Sequence, residues 1–433
     1  MEKEHSIFFD AHFHAMSINH PNFIAFLHEL ESNFPDEVVS GMFSPGYLLN
    51  YKGSTVFVAR LQNLLSVIER SIGEIFILME QDLSTEFDLL ALWTLLPKKT
   101  TKRHAPFISD GVFHMRSHTY EQIGLCPLIM DFTQTEQIDH GVYSHTYGAD
   151  RLINYIEDTL EGIRHYKRLR PEGLFRFFPF LGINTAAHDI SFIKDLLSKY
   201  IISDLDTRKQ REQELSHTKQ FCYGIKLYPP LGFDPWPEDD IEEMKKVHYL
   251  YNFCVEHRIP ITTHCDDQGF RTISTKKAWA YSSPKRWKQV LSSYPDLIID
   301  FAHFGKQYHP AANMAAHASN LGMPSKLIPQ IINTWYYEIL ALMLEYDHVY
   351  ADFSFSGSNP GFYKQLNDTI NNYSGSDKDK IMSRSLFGTD FFVNLSKVNS
   401  YSNFYQLFEA SPFTDEQIDQ VSSKNVLSWL QLD

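Results

Sequence analysis

Eight short apolar runs punctuate the chain, at residues 6–14, 125–132, 174–183, 222–228, 259–264, 297–303, 348–354 and 385–390. They are rich in Ile, Phe, Leu and Tyr and almost continuously apolar, the pattern of parallel strands covered on both faces. Several of the intervening stretches have helical period. In 241–254, Ile241, Met244, Val247, Leu250 and Cys254 recur every three or four positions behind an acidic start at Glu238, Asp239 and Asp240. Leu152, Ile153, Ile156, Leu160 and Ile163 form a comparable stripe. Strand alternating with helix eight times predicts a closed α/β barrel of the (β/α)8, or TIM, type. A doubly wound open sheet is the rival topology, but no G-x-G-x-x-G or Walker-type loop supports it.

The runs are unevenly spaced. About 110 residues separate the first two, where a connection of about 2–6 is usual. This stretch carries helical patterns of its own, around Leu61, Leu64, Leu65 and Ile68 and again from Phe87 to Leu96. Residues 15–124 therefore read as a helical subdomain inserted after strand one of a single 1–433 barrel. Insertions after a barrel strand emerge at the catalytic face, so this one is expected to cap the site and help choose the substrate. The stretches 203–219 and 304–335 read as smaller elaborations.

Hydrophobic content of 43% and charged content of 21% suit a globular protein with an ample core. The formal charge of −14 argues against a nucleic-acid or anionic-membrane partner. The four cysteines are scattered without C-x-x-C spacing, which favours a reducing compartment. Met-Glu-Lys-Glu-His leads straight into the first run, so a signal peptide is not expected, and no run approaches the roughly 20 apolar residues of a membrane span. A cytoplasmic protein is the expectation, with a homodimer as the base-rate choice of assembly.

The chemistry gathers at the ends of the runs. The first closes on His12-Phe-His14, and residues i and i+2 of an extended strand share a face. Two neutral imidazoles at a buried strand end suit zinc or a similar transition metal. Three later runs end on His264, His303 and Asp390, so ligand-capable residues stand at successive strand ends, as a metal-centred barrel requires.

In this order and placement, the motifs resemble the amidohydrolase superfamily, and within it the branch of amino-carboxymuconate-semialdehyde decarboxylase-like enzymes. The markers are Asp10-Ala-His12-Phe-His14, Gly224-Ile-Lys226-Leu-Tyr-Pro229, Thr263-His264, Ala302-His303-Phe-Gly305, Tyr350-Ala-Asp352-Phe-Ser354 and Phe387-Gly-Thr-Asp390, with the closing Asn425-Val-Leu helix. The resemblance covers nearly the whole chain outside 15–124. It implies that His12, His14 and His264 ligate a metal. Asp390 is the implied fourth or outer ligand and the general base to a metal-activated water. With two metals, His303 would ligate the second; with one, it would polarise a carbonyl or stabilise an oxyanion. Lys226 is open in the same way: carboxylated, it would bridge two metals, and as an amine it would bind a substrate carboxylate. The Gly-Ile-Lys-Leu-Tyr-Pro context resembles the mononuclear branch, so one zinc is the favoured count.

Arg176 and Tyr228 are further substrate-binding candidates, Arg176 as a bidentate carboxylate clamp or equally as an ion-paired barrel residue. His114 and His118, at i and i+4 but without the Glu of H-E-x-x-H, read as a solvated helix face or loop. Phe304 and Phe391 are candidate pocket walls. The leading expectation is a metal-dependent hydrolase of an amide, ester or lactone in a small molecule. Its alternative is a non-oxidative decarboxylase or hydratase using the same site, and a barrel that only binds ligand is the third.

Overall fold

A computed structural model describes residues 6–17, 20, 55–86, 105–133, 149–210, 219–307 and 334–433. Its strands are β1 (Ile7–Phe13), β2 (Ile108–Ser109), β3 (Val112–Met115), β4 (His118–Tyr120), β5 (Gln122–Pro127), β6 (Phe175–Phe177), β7 (Phe180–Gly182), β8 (Gly224–Leu227), β9 (Ile261–Thr263), β10 (Ile299–Phe301), β11 (Val349–Asp352) and β12 (Ser385–Leu386). All except β2–β4 pair in parallel, β1 with β5 and β5 with β6 on one side, and β7 through β12 in sequence order on the other. The two arcs join at both ends. A parallel bridge links Leu128 to Phe180, and Ala11 N–H donates to Phe387 O at 3.0 Å while Asp390 N–H donates to His12 O at 2.7 Å. The result is a closed ring of eight strands, because β6 and β7 are one strand interrupted at Phe178-Pro179. Pro179 has no N–H to give the ladder, yet its carbonyl still accepts from Tyr223 N–H at 2.7 Å.

The ring interior is filled by Ile7, Phe9, Ala11, Cys126, Phe178, Phe180 and Tyr223. Gly124 makes room for this layer, since a Cβ there would stand 2.3 Å from the Phe9 ring. The helix Asn425–Leu430 plugs the N-terminal mouth. Asn425 Nδ2 donates to Met382 O and Ser385 O at 2.8 Å each, and Trp429 stacks on Phe180 at 4.9 Å between centroids. Trp429→Ala should therefore open a cavity and destabilise by about 3–5 kcal/mol, read as a lower denaturant midpoint. The chemistry lies at the other end, so metal content should be unchanged. Alternate strand residues, among them Phe13, Ile123, Phe175, Ile225, Ile261 and Phe301, face outward and meet the helices.

The helical stripes at 241–254 and 152–163 lie in the helices Ile241–Glu256 and Ala149–Leu169. Ile241 does not join its stripe; it is 74% exposed at the first helical position, beside the Asp240 cap. Within 15–124, Thr55–Ile68 and Ile72–Leu83 are helices, and Ser71 and Glu74 form a capping box at the second. The pattern from Phe87 to Leu96 lies outside the described residues, as do 21–54, 211–218 and 308–333. Residues 108–120 are not helical but an antiparallel meander, β2–β3–β4. Asp110 and Gly111, both at positive φ (52° and 76°), make a tight hairpin turn, and Arg116 at 52° begins the next. This corrects the helix-face alternative for His114 and His118: they face each other's strands across a hairpin, and His114 Nε2 meets Ser109 Oγ at 3.0 Å.

Candidate metal centre and active site

Every expected metal ligand sits at the C-terminal end of the ring, buried. A register shift between Asp10 and Phe13 re-aims the end of β1, and this turns His12 and His14 toward the residues that follow β12. His14 Nδ1–H donates to Leu128 O at 3.1 Å, leaving Nε2 to face Asp390 Oδ1 at 3.4 Å. His12 Nδ1–H donates to Asp352 Oδ2 at 2.6 Å, and its Nε2 stands 3.6 Å from Asp390 Oδ1. That His12 Nε2 is buried without a hydrogen-bond partner. An imidazole anchored to a carboxylate through one nitrogen, with the other bare, is the arrangement of a metal ligand. Burial pushes His12 down to about 3 and His14 well below its ordinary value, so both rings are neutral and keep a lone pair. His12, His14 and Asp390 thus fit a divalent cation.

His264 and His303 stand in an adjoining group. His264 Nε2 lies 3.0 Å from Asp266 Oδ1, and His303 Nε2 lies 3.8 Å from Asp266 Oδ2. The two groups share a wall, with the rings of His12 and His303 5.1 Å apart between centroids. Of the expected set, His12, His14 and Asp390 stand together, and His264 stands with Asp266 and His303 in the adjoining group.

Non-glycine residues at positive φ mark both loops: His303 (62°), Phe304 (53°) and Asp390 (58°). Such positions cost about 1–3 kcal/mol and persist where surrounding contacts over-determine them. Asp352 Oδ1 accepts from His303 N–H at 3.1 Å and from Ser354 N–H at 2.9 Å, and Ser356 Oγ donates to His303 O at 2.8 Å. Asp10 holds the β12 loop, accepting from Thr389 N–H at 2.9 Å, Thr389 Oγ1 at 2.7 Å and Tyr401 Oη at 2.9 Å. Burial raises Asp10 to about 7 against the pull of these donors. Asp10→Ala should cost about 2–4 kcal/mol by leaving buried donors unpaired and should loosen Asp390. The checks are a denaturation midpoint and cation affinity measured on the same protein.

Lys226 lies at the floor of this centre. It is 1% exposed, and its Nζ has no hydrogen-bond partner. Burial lowers it to about 8 against the opposing charges of Asp352, Asp390, Asp300 and Asp266. In register across β8, β9 and β10 stand Lys226, Thr262 and Asp300, and Thr262 Oγ1 donates to Asp300 Oδ2 at 3.2 Å. Tyr228 is brought in beside them, its ring 4.3 Å from that of His264 and 5.9 Å from Lys226 Nζ. Gly269, at φ 94°, lets the β9 loop close over this pair, since a Cβ would stand 2.3 Å from Tyr228 Oη. Arg176 is not brought to the centre. It pairs in register with Gly124 in the first half of its strand, and its guanidinium reaches the Gln122 amide oxygen at 3.0 and 3.1 Å, toward the opposite mouth. Phe304 and Phe391 are fully buried in the outer core rather than lining an open pocket.

Sequence reasoning missed Asp352, Asp266, Asp300 and Asp10 as working parts. Asp352 lies near the end of an apolar run, within the Tyr350-Ala-Asp352-Phe-Ser354 marker, and Asp266 follows His264 by two positions. Asp10 stands in the first marker motif without a role attached to it, and Asp300 sits inside a strand and carries no signal.

The family model for amidohydrolases matches residues 202–427. The chain belongs to that family. The match takes in Lys226, His264, His303, Asp352 and Asp390, while His12 and His14 precede it. No curated protein matches the chain. Among solved structures it is similar to 5-carboxyvanillate decarboxylase from Novosphingobium aromaticivorans, complexed with manganese and 4-hydroxy-3-methoxy-5-nitrobenzoic acid. That match has 10% identity, 100% coverage of this chain and 97% of the other, and a TM-score of 0.47. It is also similar to 2,6-dihydroxybenzoate decarboxylase from Rhizobium (12% identity, 72% and 84% coverage, TM-score 0.38). A third is a probable 2-pyrone-4,6-dicarboxylic acid hydrolase from Acinetobacter baumannii (12%, 72% and 84%, 0.40). The hydrolase expectation is not borne out: most of the similar structures are decarboxylases. Among the described residues, no helix of this amidohydrolase-family protein is long and apolar enough to cross a membrane.

Proposed function

We propose that this amidohydrolase-family protein is a metal-dependent, non-oxidative decarboxylase of a small carboxylic acid. The observation that supports it is Lys226, an ammonium enclosed at the floor of the centre with no partner of its own. A buried donor without a hydrogen bond is costly even with carboxylates in the neighbourhood, and a substrate carboxylate supplies the missing acceptor. His12, His14 and Asp390 would hold the divalent cation, which when bound draws electron density from the substrate's oxygens. Zinc is the ion we propose on the imidazole-rich donor set; manganese is the other outcome that metal analysis would distinguish.

Lys226 orients the acid. Tyr228, lying over His264, offers a hydroxyl to a second oxygen. The carbon–carboxyl bond breaks, carbon dioxide leaves, the bond's electron pair stays on carbon, and a proton taken up from water and passed on by Asp390 or by His303 Nε2 replaces the carboxyl group. His303 is fixed for this, with Nδ1–H held by Ser354 O at 3.1 Å and Ser354 Oγ at 3.0 Å and Nε2 turned inward. We also propose that segment 15–124 bears on substrate choice. Its helix Thr55–Ile68 lies against the Val393–Ser396 turn that follows Asp390, and Asn63 Nδ2 donates to Asn399 O at 2.9 Å.

The test is incubation with a panel of aromatic and unsaturated carboxylic acids in D2O. Release of carbon dioxide with one deuterium at the vacated carbon is expected. A product that has gained the elements of water, with no carbon dioxide released, would overturn the reading.

A further inference from the structure

Asn184 lies at the mouth of the ring with half of its amide unused. Phe180 fills the ring interior, and by alternation along β7 Gly182 and Asn184 share its face. Asn184 is still extended, at φ −119° and ψ 99°. Gly182 pairs in register with Lys226, and two positions on, the same register sets Asn184 against Tyr228, also extended at φ −134° and ψ 86°. Neighbouring strands run about 5 Å apart, so Asn184 is the lateral neighbour of the tyrosine that lies over His264. A Cβ at Gly182 would stand 2.5 Å from Ile129 O and 2.6 Å from Asp131 N. The bare glycine lets the chain after β5 turn in across the mouth and bring Asp131 to Asn184.

The amide has one orientation. Asn184 Nδ2 donates to Leu231 O at 2.8 Å, and because a carbonyl only accepts, Oδ1 is turned the other way. Asn184 is 2% exposed, and its Oδ1 has no hydrogen-bond partner among the described residues. Asp131 holds the backbone around it. Its Oδ2 accepts from Asn184 N–H at 2.9 Å and from His188 Nε2–H at 2.8 Å, and its Oδ1 accepts from Thr133 N–H at 3.1 Å. Thr133 is buried too, and its Oγ1 is likewise without a partner among the described residues. Two orphaned oxygens thus flank one satisfied carboxylate. The loop is not free to shift and pair them: Lys246 Nζ donates to Thr185 O at 2.5 Å and to His188 O at 3.0 Å, and Thr185 Oγ1 donates to Glu243. Phe132, between Asp131 and Thr133, meets Phe270 edge-on at 5.8 Å, next to the glycine that closes over Tyr228 and His264. A rigid, buried acceptor with nothing bound to it is costly, and here it faces the mouth of the site.

We propose that Asn184 is a specificity-determining residue whose Oδ1, with Thr133 Oγ1 on the other side of Asp131, binds a hydroxyl or amine that the substrate carries away from its carboxylate. Oδ1 can only accept, and the Asp131 carboxylate stands against it, so a neutral donor fits and a second carboxylate is repelled. A site built around such a hydrogen bond rejects the analogue that lacks the donor. The inference rests on the reading of the site as one for a carboxylic acid held by Lys226, and not on whether that acid then loses carbon dioxide.

The test is the binding of matched acids to zinc-loaded protein, measured by isothermal titration calorimetry. The probes are 3- and 4-hydroxybenzoate and 3- and 4-aminobenzoate, each against the methylbenzoate with its methyl at the same position. These donors stand too far from the carboxylate to share its cation. At least one donor-bearing acid should bind about tenfold or more tightly than its methyl counterpart. In Asn184→Leu, which keeps the shape of the side chain, that ratio should fall to about one. Thr133→Val removes only Oγ1 and should narrow the ratio by about threefold; it decides the matter if Asn184→Leu does not fold. Lys226→Met should weaken both acids of a pair alike and leave their ratio unchanged. No preference in the unaltered protein, or an unchanged ratio in folded Asn184→Leu even with both acids weakened, would overturn the proposal, as would an unchanged ratio in Thr133→Val where Asn184→Leu is unfolded. A donor preference without release of carbon dioxide removes the decarboxylation reading alone, whereas no binding of any acid removes both.

Discussion

Replacing His14 by alanine should leave a folded barrel that no longer keeps a cation between β1 and β12. Turnover should fall by about 10³-fold or more, the several kcal/mol that a Lewis-acid cation contributes. His14 is the cleaner choice of the two β1 histidines. Its Nδ1 partner is the Leu128 carbonyl, which water can satisfy in the space left by the ring. His12→Ala would instead strip a hydrogen bond from Asp352, whose carboxylate also holds the His303 and Ser354 backbone, so lost folding and lost metal would be confounded. The measurement is metal content together with kcat, and a thermal melt shows that the fold persists. A His14→Ala protein with full metal content and unchanged turnover would exclude this group as the catalytic cation site.

The ring of strands was legible because burial on both faces leaves a strong mark: each parallel strand is an apolar run whose polar exceptions fall at its end. That rule exposed His12, His14, His264, His303 and Asp390. It was less informative where polarity serves the interior. Asp300 lies within β10 and bonds Thr262, and Asp10 lies within β1 and holds Thr389 and Tyr401. Neither interrupts a run in a way that period-two or period-three patterns resolve. Grouping was also beyond the sequence. Five ligand-capable residues at four strand ends say nothing of which share an ion. Asp266 draws His264 toward His303 through loop pairing that depends on backbone geometry at positions 266 and 306. The meander at 108–120 departs from the helix-face alternative for a local reason. His114 and His118 at i and i+4 fit a helix, but Asp110-Gly111 is a turn signal that splits the segment into strands.

Lys226→Met should keep the barrel intact and reduce kcat/KM for the carboxylic acid by about 10²–10³-fold, the loss expected when one partner of a buried charge pair is removed. Methionine fills most of the volume of the lysine stem, so packing across β8 and β9 is preserved and the change reports on charge. The pH profile provides the sharper check. Burial lowers Lys226 to about 8 from its ordinary value, so the amine is charged below that pH and loses its charge as pH rises through it. Because the charged form is the one that pairs with a substrate carboxylate, kcat/KM should be level below about pH 8 and fall about tenfold per unit above it. In Lys226→Met that limb should disappear, leaving a low and flat alkaline profile. Lys226→Arg should restore charge at every pH and remove the limb while recovering part of the activity. An alkaline limb unchanged in Lys226→Met would assign the titration to another group and remove Lys226 from substrate binding.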